Sequence, residues 1–394
     1  MRALLLLLGG AGCGNAPDAS NYSNAGANTL GHLFEAQPSL QLPSLFSLGL
    51  WKILTSDVFD PRSQHTRASY GRMRPQSHGS DPTTGHWEIA GILRREPFAD
   101  FDAFPNELVE AIEKETGIKF IGNYRQDHRR ILEELGEEHL QCGRPLLYSS
   151  AGSSLEIAVH EELLGKKQLG QICHIARRHA RQWHIRQVVA RPFKGKAGFF
   201  ELTAEQLVYP IVPPRSILNA LADAGSRVHG IGKVCEHFAG SGITDAIAAT
   251  SSAEVLTAID GLWPALEEGL LFATLEETIF GVPRNYEGFA RTLISFDSWL
   301  ARFLNQIESD DLVIITADCG GDPAFGGIHS TREEVPLMII HDKLRAPLGT
   351  RGTFADISAS LGDFFSLAEQ WPAGTSFLRS ARQRRRRINQ TFGS

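Results

Sequence analysis

The sequence predicts an α/β protein, doubly wound about a mostly parallel sheet. Three observations lead there. Short continuous apolar runs, Ala3–Leu8, Leu270–Leu275 and Leu312–Thr316, read as strands buried on both faces. Helical stretches alternate with them, as repeated βα units require. Loops such as Gly9-Gly-Ala-Gly12 and Asp318-Cys-Gly-Gly321 follow the strands, where open α/β sheets place their ligands.

The chain has 394 residues, a net charge of −6, 42% hydrophobic and 21% charged residues, which suits a protein with a sizeable core. These values exclude collagen-like, disordered and coiled-coil classes. They also argue against non-specific nucleic-acid binding by the whole body. The length suggests two or three domains, or one large domain with an insert. Five cysteines, Cys13, Cys142, Cys173, Cys235 and Cys319, lie far apart and form no CxxC pair, so reduced thiols in a cytoplasm are expected.

Taken in order, Ala3–Leu8 is the first strand. The segment up to Cys13 also resembles a lipoprotein signal, but its apolar run is six residues, short of the ~7–15 of a secretory core. Thr29–Ala36 reads as a short helix, Leu42–Gly49 as a loop with a helical turn, and residues 55–85 as an exposed polar loop. Residues near 104–216 form a unit of their own. Helices are expected at Pro105–Thr116, Ile131–Gly143 and Gln168–Trp183, with strands at Lys119–Gly122, Leu146–Ser149 and Gln187–Ala190. Pro210, Pro213 and Pro214 close it.

The last part alternates again: helix Ser216–Ala224, strand Arg227–Ile231, strand Ala246–Thr250, helix Ala253–Leu266 and strand Leu270–Leu275. Helix Tyr286–Ser309, strands Leu312–Thr316 and Val335–Ile340, and helix Thr353–Phe364 follow. The expected division is core at 1–99, inserted domain at 100–213, core again at 214–370, and a basic tail at 371–394. No run approaches the ~18 apolar residues of a membrane span. The run Arg382-Gln-Arg-Arg-Arg-Arg387 reads as a solvated tail, the one place where nucleic acid or a membrane surface would be met.

Asp318, after the very apolar strand Leu312–Thr316, is a metal or catalytic carboxylate, or else a helix-capping residue. Glu276 and Glu277 follow Leu270–Leu275 in the same position, and His329 lies downstream of Asp318. One Asp, one Glu and one His at the sheet's top would leave an open position on Zn²⁺ or Mn²⁺. In Gly79-Ser-Asp-Pro-Thr-Thr-Gly-His-Trp-Glu88, Thr83 and Thr84 are candidate nucleophiles or phosphate contacts, and His86 a phosphate donor. The competing reading is a turn started by Asp81-Pro82, with Trp87 docked in the core. His32 reads as a packed histidine. Arg191, after a strand, is either a phosphate clamp or half of a salt bridge.

Several segments together resemble phosphopentomutase, of the alkaline phosphatase superfamily. They are Gly26-Ala-Asn-Thr-Leu-Gly-His32, Thr84-Gly-His-Trp-Glu-Ile-Ala-Gly91, Phe120-Ile-Gly-Asn123, Leu135-Gly-Glu-Glu-His139, Tyr148-Ser-Ser-Ala151, His160-Glu-Glu162 and Val189-Ala-Arg-Pro-Phe193. Gly232-Lys233, Gly242-Ile-Thr244, Thr331-Arg-Glu333 and Thr353-Phe-Ala-Asp-Ile357 continue the collinear series over residues 1–370. The resemblance implies an alkaline-phosphatase-like core with an inserted α/β cap. It implies interconversion of ribose 1-phosphate and ribose 5-phosphate through two Mn²⁺ ions and a phosphorylated threonine. Two cations about 3.5–4 Å apart would clamp the attacking and leaving oxygens.

The chain departs from that pattern at the chemistry. The family's threonine nucleophile falls on Pro82, which has no hydroxyl. Its metal ligands fall on Gly9, Glu277, Val282, Asp318, Cys319 and Ser330. Asp318 is retained, Glu277 is retained in kind, and the other four are poor or no ligands for Mn²⁺. In the cap, Ser150 and Arg191 remain as substrate-binding residues, while Gly152 stands where an Asp is expected. The expectation is an inactive relative holding no metal, or one ion at most, that binds a sugar phosphate or a protein partner. The competing expectation is an active phosphoryl-transfer enzyme with a rebuilt site of Glu277, Asp318, Cys319 and His329, and with Thr83 or Thr84 as acceptor.

Overall fold

The computed structural model describes residues 1–54, 66–150, 152–275, 285–325, 330–342, 344, 346–369 and 371–378. The chain separates into two compact units, one of Met1–Glu96 with Pro213–Ser394 and one of Pro97–Val212.

The first unit begins with β1 (Arg2–Leu8), whose Ala3–Leu8 are all buried. Each leucine so buried contributes roughly 1.5–3 kcal/mol, which explains why this run is a strand at the centre of a sheet. Helices α1 (Thr29–Ala36), α2 (Pro43–Ser47) and α3 (Leu50–Leu54) follow, then β2 (Ser69–Met73) and α4 (Pro82–Ile89). Both β2 and the start of α4 lie inside the stretch expected to be an exposed loop. β2 alternates buried and half-buried residues, and its polar composition hid it. Asp81 caps α4 by accepting the Thr84 N–H at 3.0 Å, and Pro82 occupies the first turn, where no N–H is needed.

The second unit runs α5 (Asn106–Thr116), β3 (Ile121–Arg125), α6 (His128–Cys142), β4 (Leu146–Ser150), β5 (Ser154–His160), α7 (Lys166–Ala180), β6 (Gln187–Lys196), β7 (Phe199–Leu202) and β8 (Leu207–Pro210). Its sheet order is β3-β4-β5-β6-β7, and β8 also pairs with β6. One face packs against α5 and α7 through Leu147, Leu155, Ile157 and Val188. The other face packs against α6 through Leu146, Tyr148, Ala158 and Phe193. The sequence reading missed β5 and ended β6 six residues early. Ser154 and Glu156 break the apolar signal of β5, and Arg191-Pro192 that of β6.

The first unit resumes with α8 (Ile217–Asp223), β9 (Arg227–Ile231), α9 (Val234–His237), β10 (Asp245–Ile247), α10 (Ser252–Leu262) and β11 (Gly269–Leu275). Then come α11 (Tyr286–Phe303), β12 (Leu312–Thr316), β13 (Val335–Ile340), β14 (Gly349–Arg351) and α12 (Asp356–Phe364). The eight-stranded order is β10-β9-β11-β1-β12-β13-β2-β14. β1 lies parallel between β11 and β12, in register Leu8↔Leu275 and Leu7↔Thr316. β13 runs antiparallel to both β12 and β2, the antiparallel exception on this side of a mostly parallel sheet. Antiparallel neighbours need no helical crossover, and among the described residues the β12–β13 connection holds one short 3₁₀ turn, Pro323–Phe325. No helix among the described residues is long and apolar enough to cross a membrane.

Candidate functional site

The parallel strands β1, β11 and β12 end level with one another, so the residues just beyond them share the carboxyl edge of the sheet. Gly9 and Gly10 follow β1 there. Asp318 follows β12, and its Oδ1 accepts the Gly10 N–H at 3.0 Å. The N-terminal turn of α4 closes over the same point. A Cβ on Gly85 would stand 1.9 Å from the Asp318 carbonyl oxygen, so only glycine lets the helix approach this closely. Asp81, Thr84, Gly85, Asp318, Cys319 and Glu333 help line a cavity of about 10 Å³ between these elements, on the scale of one water molecule.

The structure thus brings together Thr84, Asp318 and Cys319, with Gly9 next to the Gly10 that bonds Asp318 and Pro82 in the first turn of α4. Ser330 joins them by hydrogen bonding with the Cys319 thiol. Glu276, Glu277, Val282 and His329 lie outside the described residues. Asp318 does not cap a helix. Asp322 has that local role, accepting the Ala324 N–H at 2.9 Å. Thr84 is tied to its own cap, its hydroxyl donating to Asp81 Oδ2 at 2.5 Å. Thr83 lies 2.9 Å from His237 Nδ1. His86 is fully buried, stacked on His237 with ring centroids 4.1 Å apart, and is no surface phosphate donor. Its Nδ1 donates to the Pro82 carbonyl at 2.8 Å and lies 3.4 Å from Asp318 Oδ2. His32 pairs with Asp322 at 2.7 Å.

These donors can be set against what two divalent cations demand. The ions need several ionised oxygens or neutral imidazoles aimed at common points. Gly9 and Pro82 offer no side-chain donor. Burial, and then the adjacent Asp318 charge, push the Cys319 thiol well above its ordinary value, so it stays protonated. One oxygen of Asp318 is taken by the backbone. Among the described residues no group of three His, Cys, Asp or Glu side chains could hold a metal ion. The described donor set does not fit a two-metal centre.

In the second unit Ser150 and Arg191 do meet, through a residue the sequence reading overlooked. Glu156, on β5, accepts the Ser150 hydroxyl on Oε1 at 2.7 Å and Arg191 Nε on Oε2 at 2.7 Å. Its signal in the sequence was the alternation Ser154, Glu156, Ala158 on one strand face.

Two further groups in the first unit went unread. Buried Arg332 donates to the carbonyls of Pro75, Ser77 and Gly79 and pairs with Asp18, fixing the loop that leads to α4. Buried Glu333 accepts from the Thr29 and Thr331 hydroxyls and the Gly14 N–H. Both lie in the Thr331-Arg-Glu motif, whose density of charge in an apolar neighbourhood was the available sign.

Comparison with known proteins bears on this geometry. A family model described as "Metalloenzyme superfamily" matches residues 1–369. Phosphopentomutase from Caldanaerobacter subterraneus is 37% identical over 96% of this chain and 97% of its own length. Phosphopentomutase from Syntrophotalea carbinolica is 38% identical over the same shares. The solved PH0037 protein from Pyrococcus horikoshii aligns over 94% of this chain and 99% of its own, at 14% identity and a TM-score of 0.46. With near-complete coverage at such identity, this chain belongs to the phosphopentomutase family of the Metalloenzyme superfamily.

Proposed function

We propose that this protein is a phosphopentomutase-family member that no longer interconverts ribose 1-phosphate and ribose 5-phosphate, and that it acts by binding rather than by catalysis. The observation that carries this reading is the carboxyl edge of β1. Gly9, at a position where the family pattern requires a carboxylate ligand, has no side chain, and Pro82 stands at the nucleophile position with no hydroxyl. A threonine hydroxyl is inert at its free pKa, and metal activation is what the reaction depends on. Losing both should remove nearly all transition-state stabilisation of the transferred phosphoryl group. A cytoplasmic setting is consistent with the unpaired state of all five cysteines. A sugar phosphate and a protein partner are the two classes of ligand this reading leaves.

The test is metal analysis of the purified protein together with a mutase assay coupled to ribose 5-phosphate formation. The expected result is no stoichiometric Mn²⁺ and no turnover from ribose 1-phosphate. Two Mn²⁺ per chain with turnover would overturn the proposal. A second reading, an enzyme with a rebuilt one-ion site of Glu277, Asp318, Cys319 and His329, is favoured by the Thr83 hydroxyl lying 2.9 Å from an imidazole nitrogen. One bound ion per chain, with turnover abolished by Thr83→Ala, would select it.

A further inference from the structure

The polar half of the second unit's sheet holds an anion-binding arrangement whose anion is already in place. On the face that α6 covers, the strand register puts Tyr148 and Ser150 of β4 beside Glu156 and Ser154 of β5, with Gln187 and Arg191 of β6 on the far side. The apolar end of this face, Leu146, Ala158 and Phe193, packs under α6. The polar end gathers a guanidinium and two serine hydroxyls, the donors that a phosphate or carboxylate attracts. All three converge on one acceptor. Ser150 and Ser154 each donate to Glu156 Oε1 at 2.7 Å, and Arg191 Nε donates to Oε2 at 2.7 Å. Arg191 also donates from Nη1 to Gln206. Glu156 is 1% exposed, and the Arg191 side chain 15%.

We propose that Glu156 is a built-in substitute for an external anion, and that by holding Arg191, Ser150 and Ser154 it closes this subsite to phosphorylated ligands. The carboxylate presents to the guanidinium and hydroxyls the charge and acceptor oxygens that a phosphoryl group would bring. An incoming dianion would meet a neutral ion pair, and it would have to displace a buried carboxylate into a place with no counter-charge. Breaking a buried pair in this way is strongly unfavourable, enough to weaken anion binding by about a hundredfold or more. The other charged or titratable groups that interact with the pair are His128 and Asp127 at the start of α6, Tyr148 on β4, which also bonds to Arg191, and Cys173 on α7, and none of them takes Arg191 Nε away from Glu156. This inference concerns residues of the second unit alone and does not depend on whether the first unit retains catalysis. It narrows the ligand classes above by disfavouring a sugar phosphate at this subsite.

The experiment is calorimetric titration of the full chain with inorganic phosphate and with ribose 5-phosphate, for wild type, Glu156→Gln and the double variant Glu156→Gln/Arg191→Ala. Glutamine keeps the size and an acceptor oxygen but leaves the Arg191 charge unpaired. The expected result is a gain of at least about tenfold in phosphate affinity for Glu156→Gln, lost again in the double variant. A folded Glu156→Gln protein with no gain would overturn the proposal. So would wild-type binding that Arg191→Ala abolishes. If Glu156→Gln does not fold, phenylglyoxal modification of wild-type Arg191, read by mass spectrometry, decides. Unchanged labelling with added phosphate supports closure, and protection by phosphate refutes it. The mutase assay reports separately on the loss of catalysis, so the two readings fail independently.

Discussion

Replacing Glu88 with alanine should destabilise the first unit by about 4 kcal/mol. Glu88 sits on α4, 1% exposed, and its carboxylate ties α4 to Gln76–Ser77 and to the distant Thr353–Phe354. It accepts the backbone N–H of Gln76 at 2.9 Å and of Ser77 at 2.6 Å. It also accepts the Phe354 N–H at 2.9 Å and the Thr353 hydroxyl at 2.7 Å. Alanine leaves the buried Ser77 and Phe354 N–H groups without an acceptor, at roughly 1–3 kcal/mol each. Gln76 is exposed and can take a water, and the Thr353 hydroxyl can rotate. The sum spans about 2–6 kcal/mol, a large part of the ~5–15 kcal/mol that holds a domain folded. Glu88→Gln keeps one acceptor oxygen but turns an NH₂ toward other donors, so about half the loss should remain. Urea denaturation followed by both tryptophan fluorescence and far-ultraviolet circular dichroism reads these values, coincident curves licensing a two-state treatment. A Glu88→Ala loss under about 1 kcal/mol, or a glutamine variant weaker than the alanine one, would refute the claim that this carboxylate ties the site's elements together.

Cysteine reactivity tests the burial argument against metal ligation by Cys319. In the native chain iodoacetamide should label exposed Cys142 first and leave Cys13, Cys173 and Cys319 untouched until unfolding, because burial raises all three thiols. Mass spectrometry locates the label, and rapid modification of Cys319 would contradict its assignment as a protonated thiol. Stability of the second unit should fall as pH drops below about 6.5. Buried His139 donates from Nδ1 to the Arg144 carbonyl and accepts the His160 N–H on Nε2, an arrangement open only to the neutral ring. Desolvation depresses its pKa in the folded state, so the unfolded chain binds more protons below the usual histidine value and gains from acidification. Thermal melts between pH 7.5 and 5 should show this slope, about 1.4 kcal/mol per pH unit at most for one group. Substituting His139 with glutamine should flatten it.

Much of the architecture was open to inspection in the residues alone. The leucines of β1 and the aliphatic runs of β11 and β12 have one low-energy destination, the interior of a parallel sheet, because burying them on both faces outweighs any solvated arrangement. The loops behind those strands follow, and with them the place where Gly9 and Asp318 come together. The absence of a side chain at Gly9 and of a hydroxyl at Pro82 is also a property of composition that no folding can change. Strands whose residues are half polar were less visible. β2 and β5 carry Ser, Arg and Glu, and their identity as strands rests on partners elsewhere in the chain. The polarity of β13 likewise depends on the connection that precedes it.

What only the tertiary structure decided is who satisfies whom. Arg191 offered a phosphate clamp or a salt bridge on equal terms until Glu156, 35 residues away, was seen on the neighbouring strand. Asp318 read as a metal or catalytic carboxylate or else a cap, and only the fold set its oxygen on the Gly10 N–H across the sheet, a separation of 308 residues. Local chemistry lists the donors and acceptors a residue carries. Their pairing is settled by strand register and close packing, because a buried polar group takes whichever partner the fold brings within about 3 Å.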